Sequence, residues 1–245
     1  MHFRVHEQNF NLSDQNSHPD LWGRILYLLL PYGLLLIVSF CFHRRAMESQ
    51  IDFPIYPLPS LQSQNFIYYL VVISLGAVGI YAAVDNAWSA YDWILFSVAN
   101  ALLALYIFLY QIPSRFTLFL TTLASVALAV DIEWLFIETE DMADGTTNLV
   151  IRNLVGAVGA WAVIYALITS GQFLVHTVGI NKKFQAICFF IAGVLLIGGI
   201  AYWNKTSHCE WNEAIGFIAV GAFLLLFAAF NTHRNKSLDL ESLLS

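Results

Sequence analysis

Hydrophobic positions along this chain gather into seven blocks, and polar residues concentrate in the intervals between them. The blocks run Ile25–Phe42, Phe66–Val84, Trp93–Tyr110, Phe116–Ile137, Asn153–Ser170, Phe184–Trp203 and Ala214–Phe230. Each approaches the ~20 residues that an α-helix, rising ~1.5 Å per residue, needs to cross ~30 Å of hydrocarbon. Lipid offers no partner to a backbone N–H or C=O, so blocks of this kind must satisfy those groups internally, as helices. The pattern predicts an all-α integral membrane protein: a seven-transmembrane-helix bundle over residues 24–231, a polar segment over 1–23 and a tail over 232–245. No interval is long enough for a soluble domain. The polar start of the chain leaves the first span to act as its own targeting signal.

Composition sharpens the class. The chain is 58% hydrophobic and 11% charged, with a net charge of −6, so it has no basic surface for nucleic acid and its expected environment is the lipid bilayer. Basic residues set sidedness. Arg44, Arg45, Arg115, Lys182, Lys183, Arg234 and Lys236 fall on one side, and Arg4, Arg24, Arg152 and Lys205 on the other. Basic loops resist translocation, so the N-terminus is expected outside and the C-terminus in the cytoplasm. Asn11-Leu12-Ser13 is an N-glycosylation acceptor on the predicted outer side. Six tryptophans (Trp22, Trp88, Trp93, Trp134, Trp203, Trp211) lie at predicted outer span ends, where amphipathic rings suit the headgroup layer. The tail carries Asp239, Leu243 and Leu244, an acidic dileucine arrangement of the kind that sorting adaptors read; it points to the plasma membrane or to endosomal and lysosomal membranes.

Only three cysteines occur, so no disulfide framework is expected. Gly79 with Ala83, and Gly156 with Ala160, are small-residue pairs that let helix backbones approach, within the bundle or in a homo-oligomer.

Polar residues within spans are costly and mark candidate chemistry. Asn100, Thr121 and Ser125, ending near Asp131, outline a polar seam between the third and fourth spans, the route a small-solute carrier or receptor would use. At the outer rim Asp85, Asp92, His208, Cys209 and Glu210 supply carboxylate, imidazole and thiol, groups able to hold zinc. No predicted span contains a histidine. The final block has no lysine for a Schiff base, which excludes retinal.

Ile80-Tyr81-Ala82-Ala83-Val84-Asp85, then Tyr91-Asp92, resembles the helix-two to helix-three junction of the myomaker and transmembrane post-GPI-attachment lipase family, within the seven-span CREST superfamily. Leu28-Leu29-Leu30-Pro31 with Arg44-Arg45 is similar to that family's start, and His208 with Trp211-Asn212 to its entry into helix seven. The resemblance implies a zinc site of three histidines, one on helix two and two on helix seven. Here Ala82 and Asn212 stand at two of those positions and only His208 remains. Val78 replaces the family's serine, and Ser97 or Val98 its helix-three acid. One imidazole cannot hold and activate a zinc-bound water. The resemblance therefore implies a pseudoenzyme with no catalytic residue and no cofactor, working in membrane remodelling, fusion or scaffolding. A lipid hydrolase whose zinc site has been rebuilt from the outer-rim residues is the alternative.

Overall fold

The computed structural model describes residues 19–49, 61–112, 114–139 and 146–207, and within them the chain is all-helical. Six helices follow in order: α1 (Leu21–Ser49), α2 (Leu61–Asp85), α3 (Ala90–Tyr110), α4 (Arg115–Glu138), α5 (Thr146–Phe173) and α6 (Lys182–Ser207). The first six hydrophobic blocks thus each lie in one helix. The seventh block and the tail lie outside the described residues. Five of the helical stretches, Leu21–Ala46, Gln64–Asp85, Ala90–Tyr110, Arg115–Glu138 and Leu149–Val178, are long and apolar enough to cross a bilayer. Their outward faces are apolar too: Phe40 is 93% exposed, and Leu30 and Ile37 stand out from the same helix. A chain built this way belongs in a membrane.

Boundary residues explain where the helices stop. Asp85 ends α2, and Asn86 then takes a left-handed conformation (φ 52°) that asparagine tolerates better than most residues. Ser89 caps α3 and Ser114 caps α4, each in a reciprocal arrangement with the residue three positions on. A π-helical turn, Leu174–Val178, finishes α5 before Gly179 (φ 86°) reverses the chain. Pro31 is accommodated inside a continuous α1.

The helices do not pack in sequence order. α1 lies against α2 and α3, α3 against α4, α4 against α5, and α5 against α2 and α6. Five helices thereby close a ring, α1–α3–α4–α5–α2, with α6 added outside it on α5. Lipid supplies no hydrophobic drive between spans, so close backbone approach and interhelical hydrogen bonds hold such a ring. Gly79 shows the first: a Cβ there would come within 2.5 Å of Leu28 Cδ1 on α1 and 2.9 Å of Phe96 Cζ on α3. Arg24 donates to the Ala83 carbonyl at 2.7 Å, fixing the start of α1 to the last turn of α2.

Two of the tryptophans expected in the headgroup layer are core residues instead. Trp88 and Trp93 are fully buried, meet edge to face at 5.0 Å and 78°, and enclose Phe96 between them. Such pairs contribute about 0.5–1.5 kcal/mol beyond burial, and the turn between α2 and α3 folds inward over α3 to make them. Trp22 and Trp134 remain exposed, as headgroup anchors should be.

Candidate functional site

Each predicted polar group has a definite structural position. Asp92 is the third residue of α3. Its Oδ2 accepts from the Ser89 backbone N–H and from the Ser89 hydroxyl, both at 2.8 Å, while the Asp92 N–H donates to Ser89 Oγ. The carboxylate therefore closes a helix cap. Asp85 is exposed at the end of α2. The other rim residues, His208, Cys209 and Glu210, lie outside the described residues, as do Asn212, Asn11, Asp239, Leu243 and Leu244. Among the described residues no three His, Cys, Asp or Glu side chains come together.

Val78 and Ala82, the α2 positions singled out by the sequence resemblance, carry only hydrocarbon side chains. Val78 and Ala82 are fully buried in one apolar core with Trp88, Trp93 and Phe96. Ser97 turns its hydroxyl back to the Trp93 carbonyl at 2.7 Å. A zinc ion needs lone pairs from its surroundings, and the side chains of Val78 and Ala82 offer none.

The expected seam resolves differently. Asn100 and Thr121 are fully buried, each bonded to its own helix: Asn100 Nδ2 to the Phe96 carbonyl and Thr121 to the Thr117 carbonyl, both at 2.7 Å. The interhelical bonds of the α4 hydroxyls run to α5. Ser125 Oγ lies 2.7 Å from Thr169 Oγ1, and the Thr122 hydroxyl reaches the Thr169 carbonyl at 3.1 Å. The cavity beside Thr121 and Tyr110 measures about 10 Å³, room for one water at most. Farther along α4, Asp131 is half-buried, and its Oδ2 has no hydrogen-bond partner.

The densest polar cluster was not legible beforehand. α1 continues past Phe42 to Ser49, which places His43 inside a helix, only 2% exposed, and overturns the expectation that no span carries a histidine. Its ring stacks on Tyr68 of α2 at 3.9 Å and 13°, and Nε2 lies 2.8 Å from Asn65 Oδ1. With a carbonyl oxygen opposite, Nε2 carries the proton and buried Nδ1 keeps its lone pair without a partner. One turn earlier the Ser39 hydroxyl donates to the Leu35 carbonyl at 2.6 Å, so Tyr68 donates its phenol proton to Ser39 Oγ at 2.5 Å. Tyr165 on α5 extends the layer toward Gln64, and Tyr110 donates to Gln172. Serine, tyrosine and histidine together suggest nucleophile chemistry, but the geometry does not supply it. His43 lays its ring face on Tyr68, and the Ser39 proton is committed to its own helix. The cluster joins α1, α2 and α5 at one end of the ring.

Comparison with family models, with curated proteins and with solved structures returns no match for this chain. Function must be read from the arrangement of its own residues.

Proposed function

We propose that this is a non-catalytic, seven-span membrane protein of the myomaker type, working in membrane remodelling, fusion or scaffolding through its helix surfaces. In this reading the N-terminus is outside and glycosylated at Asn11, the C-terminus is cytoplasmic, and Asp239, Leu243 and Leu244 direct sorting between plasma membrane and endolysosomal membranes.

One observation carries the proposal: Val78 and Ala82 are fully buried among Trp88, Trp93 and Phe96, so the centre where that family binds metal is packed hydrocarbon on the α2 side. The engagement of Asp92 Oδ2 in the α3 cap supports it, because that oxygen already accepts two hydrogen bonds from Ser89. The bonding of Asn100 Nδ2, Thr121 and Ser125 to neighbouring backbone and to Thr169 favours helix contacts over a solute path, although Asn100 Oδ1 is buried without a partner.

The test uses full-length protein purified in nanodiscs. Elemental analysis should find zinc well below one ion per chain, and vesicles containing the protein should tether or mix lipids without releasing fatty acid. Stoichiometric zinc that disappears in His208→Ala, together with lipid hydrolysis, would replace this proposal by the hydrolase.

A further inference from the structure

Asp131 is a carboxyl group set within a span. It lies seven residues before Glu138, the last residue of α4, and so about 10 Å along the helix from that end. The exposed Trp134, whose indole suits the headgroup layer, is three residues nearer the end. Leu128 and Leu135, one turn away on either side, are buried, and Val130 beside Asp131 is exposed apolar surface. The Asp131 side chain is half-buried, and its Oδ2 is withdrawn from solvent without a hydrogen-bond partner. A bare carboxylate is costly in such a position.

The helices packed against α4 are α3 and α5. Among the described residues, the titratable and charged side chains they bring to this end are Tyr91 and Asp92 on α3 and Arg152 on α5, with Glu133 and Glu138 on α4 itself. Asp92 is engaged by Ser89, and Glu133 lines the α4–α5 cleft. Tyr106, Tyr110 and Tyr165 gather nearer the opposite end, where α3 finishes. Of the groups at the Asp131 end, only Arg152 is a cation. Its Nε donates to the Thr139 carbonyl at 2.7 Å, eight residues or about 12 Å farther along α4 than Asp131. None of these groups stands at hydrogen-bond distance from Asp131 Oδ2.

We propose that Asp131 is a proton-binding site within the membrane, a carboxylic acid that takes up and releases its proton at the Glu138 end of α4. A proton removes the charge and needs no room beyond the oxygen it bonds. Calcium or magnesium would need about six oxygen ligands, and among the described residues no three His, Cys, Asp or Glu side chains come together. The Glu138 end is also the nearer surface. Arg115, at the other end of α4, is sixteen residues or about 24 Å away. Between them the Thr121 and Ser125 hydroxyls are bonded to their own helix and to Thr169. The proton therefore exchanges with one side of the membrane, and the site reads the acidity of that side rather than passing protons across. Zinc content and lipid hydrolysis do not bear on it, so it stands or falls separately from the function proposed above.

Full-length protein in phosphatidylcholine nanodiscs, treated with dicyclohexylcarbodiimide and mapped by mass spectrometry, tests the assignment. That reagent dissolves in hydrocarbon and adds to a protonated carboxyl. The acid proton passes to one nitrogen as the carboxyl oxygen bonds the central carbon, and the acyl group then shifts to the other nitrogen, giving a stable N-acylurea with no atom lost. The adduct should form at Asp131, whereas a water-soluble carbodiimide should modify the exposed Asp85 and spare Asp131. Infrared spectra at neutral pH should show a protonated-carboxyl band that Asp131→Asn loses and that fades in wild type as the bath is made alkaline. Absence of an adduct at Asp131 in wild type would overturn the proposal, and this outcome is readable even if Asp131→Asn does not fold. Modification of Asp131 and Asp85 to the same extent by the water-soluble reagent would overturn it too, as would an unchanged band in a folded Asp131→Asn.

Discussion

Thr169 illustrates what a single polar side chain does inside this bundle. Its hydroxyl can return a hydrogen bond to the Tyr165 carbonyl of its own helix, at 3.0 Å, and it also lies 2.7 Å from Ser125 on α4. The net worth of such an interhelical contact in a membrane is small, because a hydroxyl on a separated helix still finds its own backbone. A double-mutant cycle with Ser125→Ala and Thr169→Val should therefore give a coupling of about 0.6 kcal/mol in detergent unfolding. A coupling several times larger would mean that the pair belongs to a stronger network than these bonds describe. Thr121 and Ser125 lie one turn apart on α4 and are both buried. Periodicity gives a face and not its partner, so their spacing did not reveal that the interhelical bonds run to α5. His43 escaped for a related reason. Arg44 and Arg45 follow it directly, and two charges after an apolar block mark the end of a span without marking the end of the helix. α1 continues through them, and one further turn of helix is enough to bury the imidazole against Tyr68.

At the scale of elements, the α2–α3 junction shows how one sequence feature can support two readings. Asp85, Tyr91 and Asp92 form part of a family-like motif, and the same residues also end one helix and begin another. The capping box gives Asp92 a structural role whatever else it does, with Ser89 and Asp92 each satisfying a donor of the other. Ser89→Ala and Asp92→Ala should each lower stability by about 1 kcal/mol, and the double variant should lose less than the sum. Thermal unfolding of the three variants in detergent reads this directly. Strict additivity would show that the two side chains act separately, leaving Asp92 free for the outer rim. The buried Trp88–Trp93 pair belongs to the same junction. Aromatic rings at span ends suit both a headgroup layer and a folded-in turn, and only tertiary packing chooses between them. The sequence therefore placed these rings at helix ends and did not show that they turn inward.

On the scale of the whole molecule, the packing order and the predicted sidedness become one testable statement. Hydrophobic blocks count spans and basic residues orient them, but neither says that α1 touches α3 or that α2 reaches across to α5. That order arises from small residues such as Gly79 and from the cluster of His43, Asn65 and Tyr68, features that a hydropathy profile averages away. Successive helices still require the turn at Asn86–Ser89 and the turn at Gln111–Ser114 to emerge on opposite membrane faces, because α3 alone separates them and is long enough to cross. With the N-terminus outside, Asn86 faces out and Ser114 faces the cytoplasm. A cysteine introduced at Asn86 in a Cys209→Ser background should react with a membrane-impermeant maleimide on intact cells, and one at Ser114 should react only after permeabilisation. Asn11→Gln should remove a glycosidase-sensitive mobility shift in the same cells. Both cysteines reacting from outside would mean that α3 does not span, and the ring would have to be rebuilt. Reaction of Ser114 alone, with no shift lost in Asn11→Gln, would keep the ring and invert it.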